Sequence, residues 1–213
     1  LWDQEDIYGA PAVYQALEAK DTQNDQVYLA IGPWNHGQQI HEASSLGPIR
    51  FDADTALQFR RDVLRPFLDH YLRDDAPKHD TAPVFAFETG TNRWQRLSAW
   101  PSGCASGCTT RTQALYLRAA AALSFTSPTA DEAAESDYIS DPAKPIPFTR
   151  RPVRVGASGD DDYWPKWLVE DQRDASSRTD VLTFVSEPLT EPLKIAGAPV
   201  AQLFAATSGS DSD

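Results

Sequence analysis

The sequence predicts an α/β fold over its first 80 residues, followed by a β-rich region of the jelly-roll type. The order helix, strand, helix before residue 80 is typical of the end of an α/β domain. Beyond residue 80, short β-rich runs alternate with long stretches rich in Pro, Asp, Ser and Gly, which indicates an antiparallel sandwich or jelly roll. We therefore divide the chain into residues 1–80 and residues 81–213, and predict that the second unit is truncated.

Periodicity predicts two helices and one strand in the first unit. Apolar residues recur at helical spacing over residues 6–20 and again over residues 54–72. Asp54 or Thr55 is suited to cap the second helix, and Pro66 within it predicts a kink or two successive helices. Residues 27–31 form an unbroken apolar run that ends at a Gly-Pro pair. Such a run predicts a strand buried on both faces in a parallel sheet.

The second unit contains four short runs with strand-like composition. They span residues 84–87, 115–117, 181–185 and 200–204. Cys104 and Cys108 lie between the first two runs. Their spacing suits a small disulfide-closed loop, although two free thiols in a Gly/Ser loop are the alternative, and the pair lacks the further ligands of a zinc site.

The charge balance excludes one class of partner. The formal net charge is -12, whereas a nucleic-acid-binding surface needs clustered Lys and Arg. No apolar run reaches the roughly 20 residues that a bilayer-spanning helix requires. We expect neither a nucleic-acid partner nor a membrane partner, and no metal or organic cofactor.

An acid and a histidine occupy positions suited to catalysis. His36 follows the predicted buried strand by five residues, and Asp3 precedes the first helix. Functional groups of open α/β sheets collect at the carboxyl ends of strands, so both residues are expected on one rim of the sheet. An acid followed by a histidine on successive loops matches the end of the hydrolase chain order Ser…Asp…His. In that chemistry the histidine takes the serine proton and the aspartate fixes the histidine tautomer.

The sequence contains no Gly-x-Ser-x-Gly nucleophile motif. In this chain order the serine would lie upstream of Asp3, so we expect the 213 residues alone to be inactive. Simpler interpretations of the two candidates exist. On physical grounds alone, a helix cap is the preferred interpretation of Asp3, with Glu5 and Asp6 favouring the positive end of the helix dipole. His36, considered alone, is more often a loop histidine bonded to backbone.

Several stretches resemble the α-amino acid ester hydrolases, within the wider group of cocaine-esterase-like hydrolases and X-Pro dipeptidyl peptidases. The stretches are Trp2-Asp3-Gln4-Glu5-Asp6, Gly32-Pro33-Trp34-Asn35-His36, residues 59–67, residues 89–94, Trp100-Pro101 and residues 197–200. The resemblance covers nearly the whole chain. It implies an α/β-hydrolase domain, of which residues 1–80 are the C-terminal part, and a jelly roll of which residues 81–213 are a part.

The resemblance also implies residue roles. Asp3 matches the triad acid and His36 the triad base. Glu5 and Asp6 match two carboxylates that hold the α-ammonium group of the substrate, which is a physically suitable task for fixed negative charges. The implied substrates are α-amino acid esters and β-lactam amides, attacked through an acyl-serine intermediate without a cofactor. A periplasmic or secreted location and a homo-oligomer, as a tetramer, are implied in the same way.

Three alternatives stay open. One is a gene fragment with no stable fold, in which missing neighbouring strands leave sheet edges and apolar faces exposed. Within the same chemistry, the parent enzyme is an X-Pro dipeptidyl peptidase or a carboxylesterase of the cocaine-esterase kind. In a different class, the β-rich unit is a carbohydrate-binding module without catalysis, in which Trp164 and Trp167 stack on a sugar ring. More often, such aromatic residues cover a core or an interface.

Overall fold

The structure is a computed structural model that describes residues 7–101, 112–132, 135–149, 151–152 and 163–209. The helices are α1 (Gly9–Glu18), α2 (Thr55–Phe59), α3 (Arg65–Leu72), α4 (Tyr163–Trp167) and α5 (Arg173–Ser176). The strands are β1 (Leu29–Ile31), β2 (Ser45–Leu46), β3 (Ile49–Arg50), β4 (Val84–Glu88), β5 (Arg93–Leu97), β6 (Tyr116–Arg118), β7 (Ala122–Ser124) and β8 (Val185–Ser186). Asp3, Glu5, Asp6, Cys104 and Cys108 lie outside the described residues.

The predicted order helix, strand, helix is confirmed. The strand is shorter than predicted, because it begins at Leu29 rather than at Val27. The carboxylate of Asp21, just beyond α1, accepts the backbone N–H groups of Gln26 and Val27, both at 2.8 Å. These N–H groups are therefore occupied before the chain reaches the sheet.

The second predicted helix is also confirmed, and it consists of two α-helices joined by a π-helical turn. Asp54 is the cap, and its side chain accepts the N–H of Leu57 at 2.9 Å. The π-helical turn spans Arg60–Leu64, immediately before Pro66. Proline has no N–H to donate and its ring crowds the preceding turn, so the helix widens, and the N–H of Arg65 bonds the carbonyl of Arg60 five residues back.

The largest core lies under the first sheet, whose strand order is β1-β4-β5. Strand β1 pairs in parallel with β4, in the register Leu29 to Val84, and β4 pairs antiparallel with β5. Leu29 and Val84 are buried together with Tyr14 of α1 and Ala86. Parallel pairing of the 27–31 run, predicted from its composition, is therefore confirmed. The pairing crosses residue 80, and the division at that residue stays a prediction.

The remaining strands form two smaller sheets. Strands β2 and β3 make a hairpin, while β6, β7 and β8 form a sheet with one antiparallel and one parallel pair. The run 181–185 contributes only its last residue to β8, and the strand predicted at 200–204 is absent. In that segment Phe204 is 99% exposed, and no strand of the described residues bonds to it. The jelly-roll form stays a prediction.

Candidate functional site

The loop that follows β1 contains the Gly-Pro-Trp-Asn-His-Gly stretch. Gly32 is required at its first position, because a Cβ atom there would lie 2.4 Å from the ring of Trp34. The chain folds back so closely that the N–H of Trp34 bonds the carbonyl of Gly32 at 2.9 Å. The indole of Trp34 is consequently directed into the protein, where only 2% of the residue is exposed.

Trp34 anchors this loop to the start of α2. Its indole N–H donates to the hydroxyl of Thr55 at 2.9 Å, and that hydroxyl donates to the carbonyl of Ala43, also at 2.9 Å. Thr55 is 1% exposed and Ala43 is fully buried. A buried polar group is stable only when it is bonded, so this chain of two hydrogen bonds fixes both ends of the segment between Trp34 and Ala43.

An aromatic cluster covers the other side of the indole. The ring centroid of Trp34 lies 5.1 Å from that of Phe59 and 5.7 Å from that of Trp94. Trp94 in turn stacks on Phe85 at 4.4 Å and donates its indole N–H to the side-chain oxygen of Gln58 at 2.9 Å. Stretches that are far apart in the sequence thus meet around one tryptophan.

His36 lies in the turn between Trp34 and a short 3-10 helix, Gln38–Ile40. The N–H of Gln38 bonds the carbonyl of Asn35 at 3.1 Å, which closes the turn. Gly37 occupies the left-handed region with φ of 79°, a conformation that costs other residues energy. The turn places His36 at the surface, beyond the carboxyl end of β1. This is the location predicted for a catalytic base.

The side chain of Gln38 stabilises this turn by hydrogen bonds to the backbone on both sides of it. Its oxygen accepts the N–H of Asn35 at 3.2 Å. Its amide nitrogen donates to the carbonyl of Ser45 at 2.8 Å and approaches that of Glu42 at 3.4 Å. One side chain therefore joins the residue before His36 to the beginning of β2.

Arg60 holds the same loop from outside. Its Nη1 atom donates to the carbonyl oxygens of Gln39 at 2.9 Å and His41 at 2.7 Å. These carbonyls lie at the end of the 3-10 helix, where backbone acceptors lack helical partners. The neighbouring Arg61 instead pairs with Asp62, with Nη2 and Oδ2 at 2.6 Å. The sequence predicts no role for Gln38 or Arg60 and offers Thr55 only as a helix cap, and nothing in the local sequence separates Arg60 from Arg61.

Residues 77–213 match the X-Pro dipeptidyl-peptidase C-terminal non-catalytic domain. The chain belongs to this family. The match begins after the end of α3. The turn that contains His36, together with Trp34, Gln38, Thr55 and Arg60, therefore lies outside the matched residues of this family member.

Relatives with solved structures agree with this assignment. An α-amino acid ester hydrolase labelled with selenomethionine is 54% identical, with a TM-score of 0.84 over 92% of this chain and 31% of that chain. An aminopeptidase from a marine sediment Thaumarchaeota archaeon is 44% identical, with a TM-score of 0.75 over 89% of this chain and 30% of that chain. The resemblance to the α-amino acid ester hydrolases that the sequence indicates is confirmed.

A curated relative points to the same chemistry. The cocaine esterase of Rhodococcus sp. is 27% identical over 199 residues, which are 89% of this chain and 32% of that protein. The chain thus spans about a third of the length of this relative. This relative and the first of the solved ones are both named for the cleavage of esters.

The other histidines of this family member are His41, His70 and His79. Within the part of the chain that the structure describes, no group of three or more His, Cys, Asp or Glu residues is arranged to hold a metal ion.

His70 and His79 lie with ring centroids 5.0 Å apart, beside Tyr28 and Tyr71. Burial lowers the pKa of His79, and the neighbouring charges of His70 and Lys78 lower it further. The N–H of Thr81 donates to Nδ1 of His79 at 3.2 Å, so Nδ1 acts as an acceptor and the neutral imidazole carries its proton on Nε2.

The aromatic residues considered for sugar binding are only partly described. Trp167 packs edge-to-face on Phe148, with centroids 5.8 Å apart, and is half-buried. This packing is typical of a ring that covers a local core.

None of the helices in the described ranges has the length and apolar character needed to cross a membrane.

Proposed function

We propose that this chain is the C-terminal part of a serine hydrolase that cleaves, or transfers, the acyl group of α-amino acid esters and β-lactam amides. The observation that carries the proposal is the 54% identity to an α-amino acid ester hydrolase over 92% of this chain. The order acid, then histidine, supports the same reaction class.

His36 is assigned the role of general base in this proposal. It accepts the proton of a serine supplied by an upstream segment and returns that proton to the leaving group. The braced turn around it supports the role, because an imidazole must be held within hydrogen-bond reach of the nucleophile. Asp3 is assigned the role of the acid that fixes the tautomer of His36.

Glu5 and Asp6 are assigned to the α-ammonium group of the substrate. Two relatives support this choice of substrate class: one is named for amino acid esters, and the other is named an aminopeptidase, so both names imply a free amino group next to the scissile bond. An esterase for uncharged esters would gain nothing from two carboxylates there, because each would have to be desolvated without a partner.

The decisive experiment uses the complete enzyme proposed here, in which this sequence follows the segment that supplies the serine. His36→Gln is expected to lower kcat at least a thousandfold with normal folding. Labelling by a fluorophosphonate is expected for the complete enzyme and not for the 213-residue chain. Labelling of the shorter chain would mean that the nucleophile lies within it and that the assignment of His36 is wrong.

The substrate class needs a separate test. The variant Glu5→Gln/Asp6→Asn is compared with the native enzyme on an amino ester and on its des-amino analogue. We expect kcat/KM to fall at least tenfold more for the amino ester, because only that substrate loses a charge-assisted contact. An equal fall for both substrates contradicts the ammonium role and favours a plain carboxylesterase.

The family match to a non-catalytic domain favours one second candidate, a binding role for residues 81–213. Titration of the chain with a panel of glycans at millimolar concentration tests it, and the absence of binding contradicts it.

A periplasmic location and a homo-tetramer are also part of our proposal. Sedimentation of the purified complete enzyme and fractionation of the source cells test these two points.

A further inference from the structure

Arg60 has an unusual position for a surface arginine. It begins the π-helical turn, and its guanidinium crosses from the helix to the loop that presents His36. Among the described residues, its side-chain bonds go to two backbone carbonyls and not to a carboxylate. Arginine side chains in this helix otherwise pair with acids, as Arg65 does with Asp69 at 3.5 Å. The contact of Arg60 therefore serves the loop and not charge neutralisation.

We propose that Arg60 is a positioning residue for His36. This inference rests on the proposed role of His36 as the general base. The two carbonyls, of Gln39 and His41, lie three and five residues beyond His36, within and directly after the 3-10 helix. One nitrogen with two hydrogens binds both, so the exit of the turn cannot move without breaking charge-assisted bonds.

The two hydrogen bonds from Arg60 to the carbonyls of Gln39 and His41, called the clamp below, act together with the hydrogen bonds of Trp34 and Gln38 in this loop. Trp34 fixes the chain two residues before His36 through the hydroxyl of Thr55, and Gln38 closes the turn itself. Without Arg60, Trp34 still holds the entry to the turn, and Thr55 and Asp54 still hold Ala43 beyond its exit. Between these two points, the described hydrogen bonds that remain are those of the Gln38 side chain and of the 3-10 helix. Removal of the guanidinium is therefore expected to displace the imidazole without unfolding the protein.

Arg60 also takes part in the π-helical turn through its backbone. Wide helical turns are frequent at functional sites, because they change the side-chain register along a helix. Here the carbonyl of Arg60 accepts the N–H of Arg65, so the backbone of Arg60 takes part in the wide turn while its side chain holds the loop.

The test compares Arg60→Gln with Arg61→Gln in the complete enzyme. Arg61 is the matched control: it is adjacent, its side chain is 64% exposed, and it pairs with Asp62. For Arg60→Gln we expect kcat to fall about tenfold or more with KM within twofold, since a misplaced base slows chemistry without weakening binding. Arg60→Lys restores part of kcat, because an ammonium group can bond a carbonyl but lacks the planar fork. Arg61→Gln stays within twofold of the native enzyme in both constants.

Amide hydrogen exchange over residues 38–43 tests the clamp without using activity. Exchange is expected to be at least tenfold faster in Arg60→Gln than in Arg61→Gln, with the amides of β4 unchanged. Unchanged exchange in residues 38–43 overturns the clamp. Faster exchange with native kcat, in an enzyme that His36→Gln inactivates, overturns the positioning role. If His36→Gln is fully active, the proposed function fails, and the exchange rates alone decide whether Arg60 holds the loop.

Discussion

The indole N–H of Trp34 donates to the hydroxyl of Thr55 at 2.9 Å, across 21 residues of sequence and with both residues almost completely buried. The hydroxyl of Thr55 in turn donates a hydrogen bond to the carbonyl of Ala43. Through this bond, the motif after β1 is fixed to the start of the helix that carries Arg60. The tryptophan of the motif is therefore a structural anchor, while the histidine two residues later is left at the surface.

Thr55→Val is expected to lower the free energy of unfolding by about 1–3 kcal/mol, because it leaves the buried indole N–H of Trp34 without its bond at nearly unchanged side-chain volume. The Ala43 carbonyl loses the hydroxyl but still accepts the backbone N–H of Thr55 at 3.1 Å. Urea denaturation measures this. Thr91→Val is the control: Thr91 is exposed, its hydroxyl lies 3.5 Å from the Glu88 carbonyl, and a change below about 0.5 kcal/mol is expected. If Trp34→Phe and Thr55→Val were additive in a double-mutant cycle, the two residues would not be coupled.

Gly37→Ala is expected to lower the free energy of unfolding by about 1–2 kcal/mol, since φ at this position is 79° and a side chain destabilises the left-handed region. The added Cβ atom would meet nothing within 4 Å, so the loss measures backbone strain alone. Gly90→Ala provides the comparison, because its Cβ site is equally open and its φ lies outside that region. Equal stability of the two variants would contradict this explanation, and Gly37→Asn is expected to lose less than Gly37→Ala.

The loop before β1 is predicted to depend on pH through Asp21. Hydrogen bonds from the backbone N–H groups of Gln26, Val27 and Asp25 lower the pKa of this carboxyl, against a smaller opposing effect of desolvation. The folded pKa is below the unfolded one, so the stabilisation is complete above the unfolded value, about 3.9, and is lost as pH falls through the folded pKa. Asp21→Asn should therefore be less stable at pH 7 and approach the native protein in strong acid.

Urea denaturation at pH 7 and at successively lower pH values measures the Asp21 effect. Asp52→Asn is a suitable control, because that carboxylate accepts a single side-chain bond, from Asn92 at 3.2 Å. A stability difference between Asp21→Asn and the native protein that stays constant with pH would show that the carboxylate charge has no part in holding this loop.

His79 is predicted to stay neutral at pH values where an ordinary histidine is protonated. Burial lowers its pKa below 6.5, and His70 and Lys78 add to the effect. On acidification the unfolded chain binds a proton first, so this group destabilises the fold as pH falls from about 6.5 to the folded pKa. NMR titration of the imidazole protons measures the shift, which His70→Asn should reduce but not abolish. A pKa of His79 above 6.5 would contradict the prediction.

Local chemistry made much of the first 80 residues predictable. The helical periodicity of residues 54–72, the cap at Asp54 and the break at Pro66 depend on neighbours within one or two turns, so the sequence contains the whole signal. The strand after α1 was placed by its apolar run and ended by Gly32 and Pro33 for the same reason. His36 was found because its distance from the end of that strand is a local quantity.

Tertiary structure decided the partners. The sequence predicts β4, beyond residue 80, but not β5, with which it pairs. It also separates β4 from β1, yet the two pair in parallel, because strand pairing is set by hydrogen bonds between segments far apart in the chain. The run at 200–204 has the composition of a strand but forms none in the described structure, since composition supplies no partner. Likewise Arg60 and Arg61 are identical in type and adjacent, and only the folded loop distinguishes the one that binds two carbonyls from the one that pairs with its neighbour. What the sequence alone determined about this protein was its local conformations and its motif, because these depend on neighbouring residues. Only the folded chain decided which distant groups those conformations bring together.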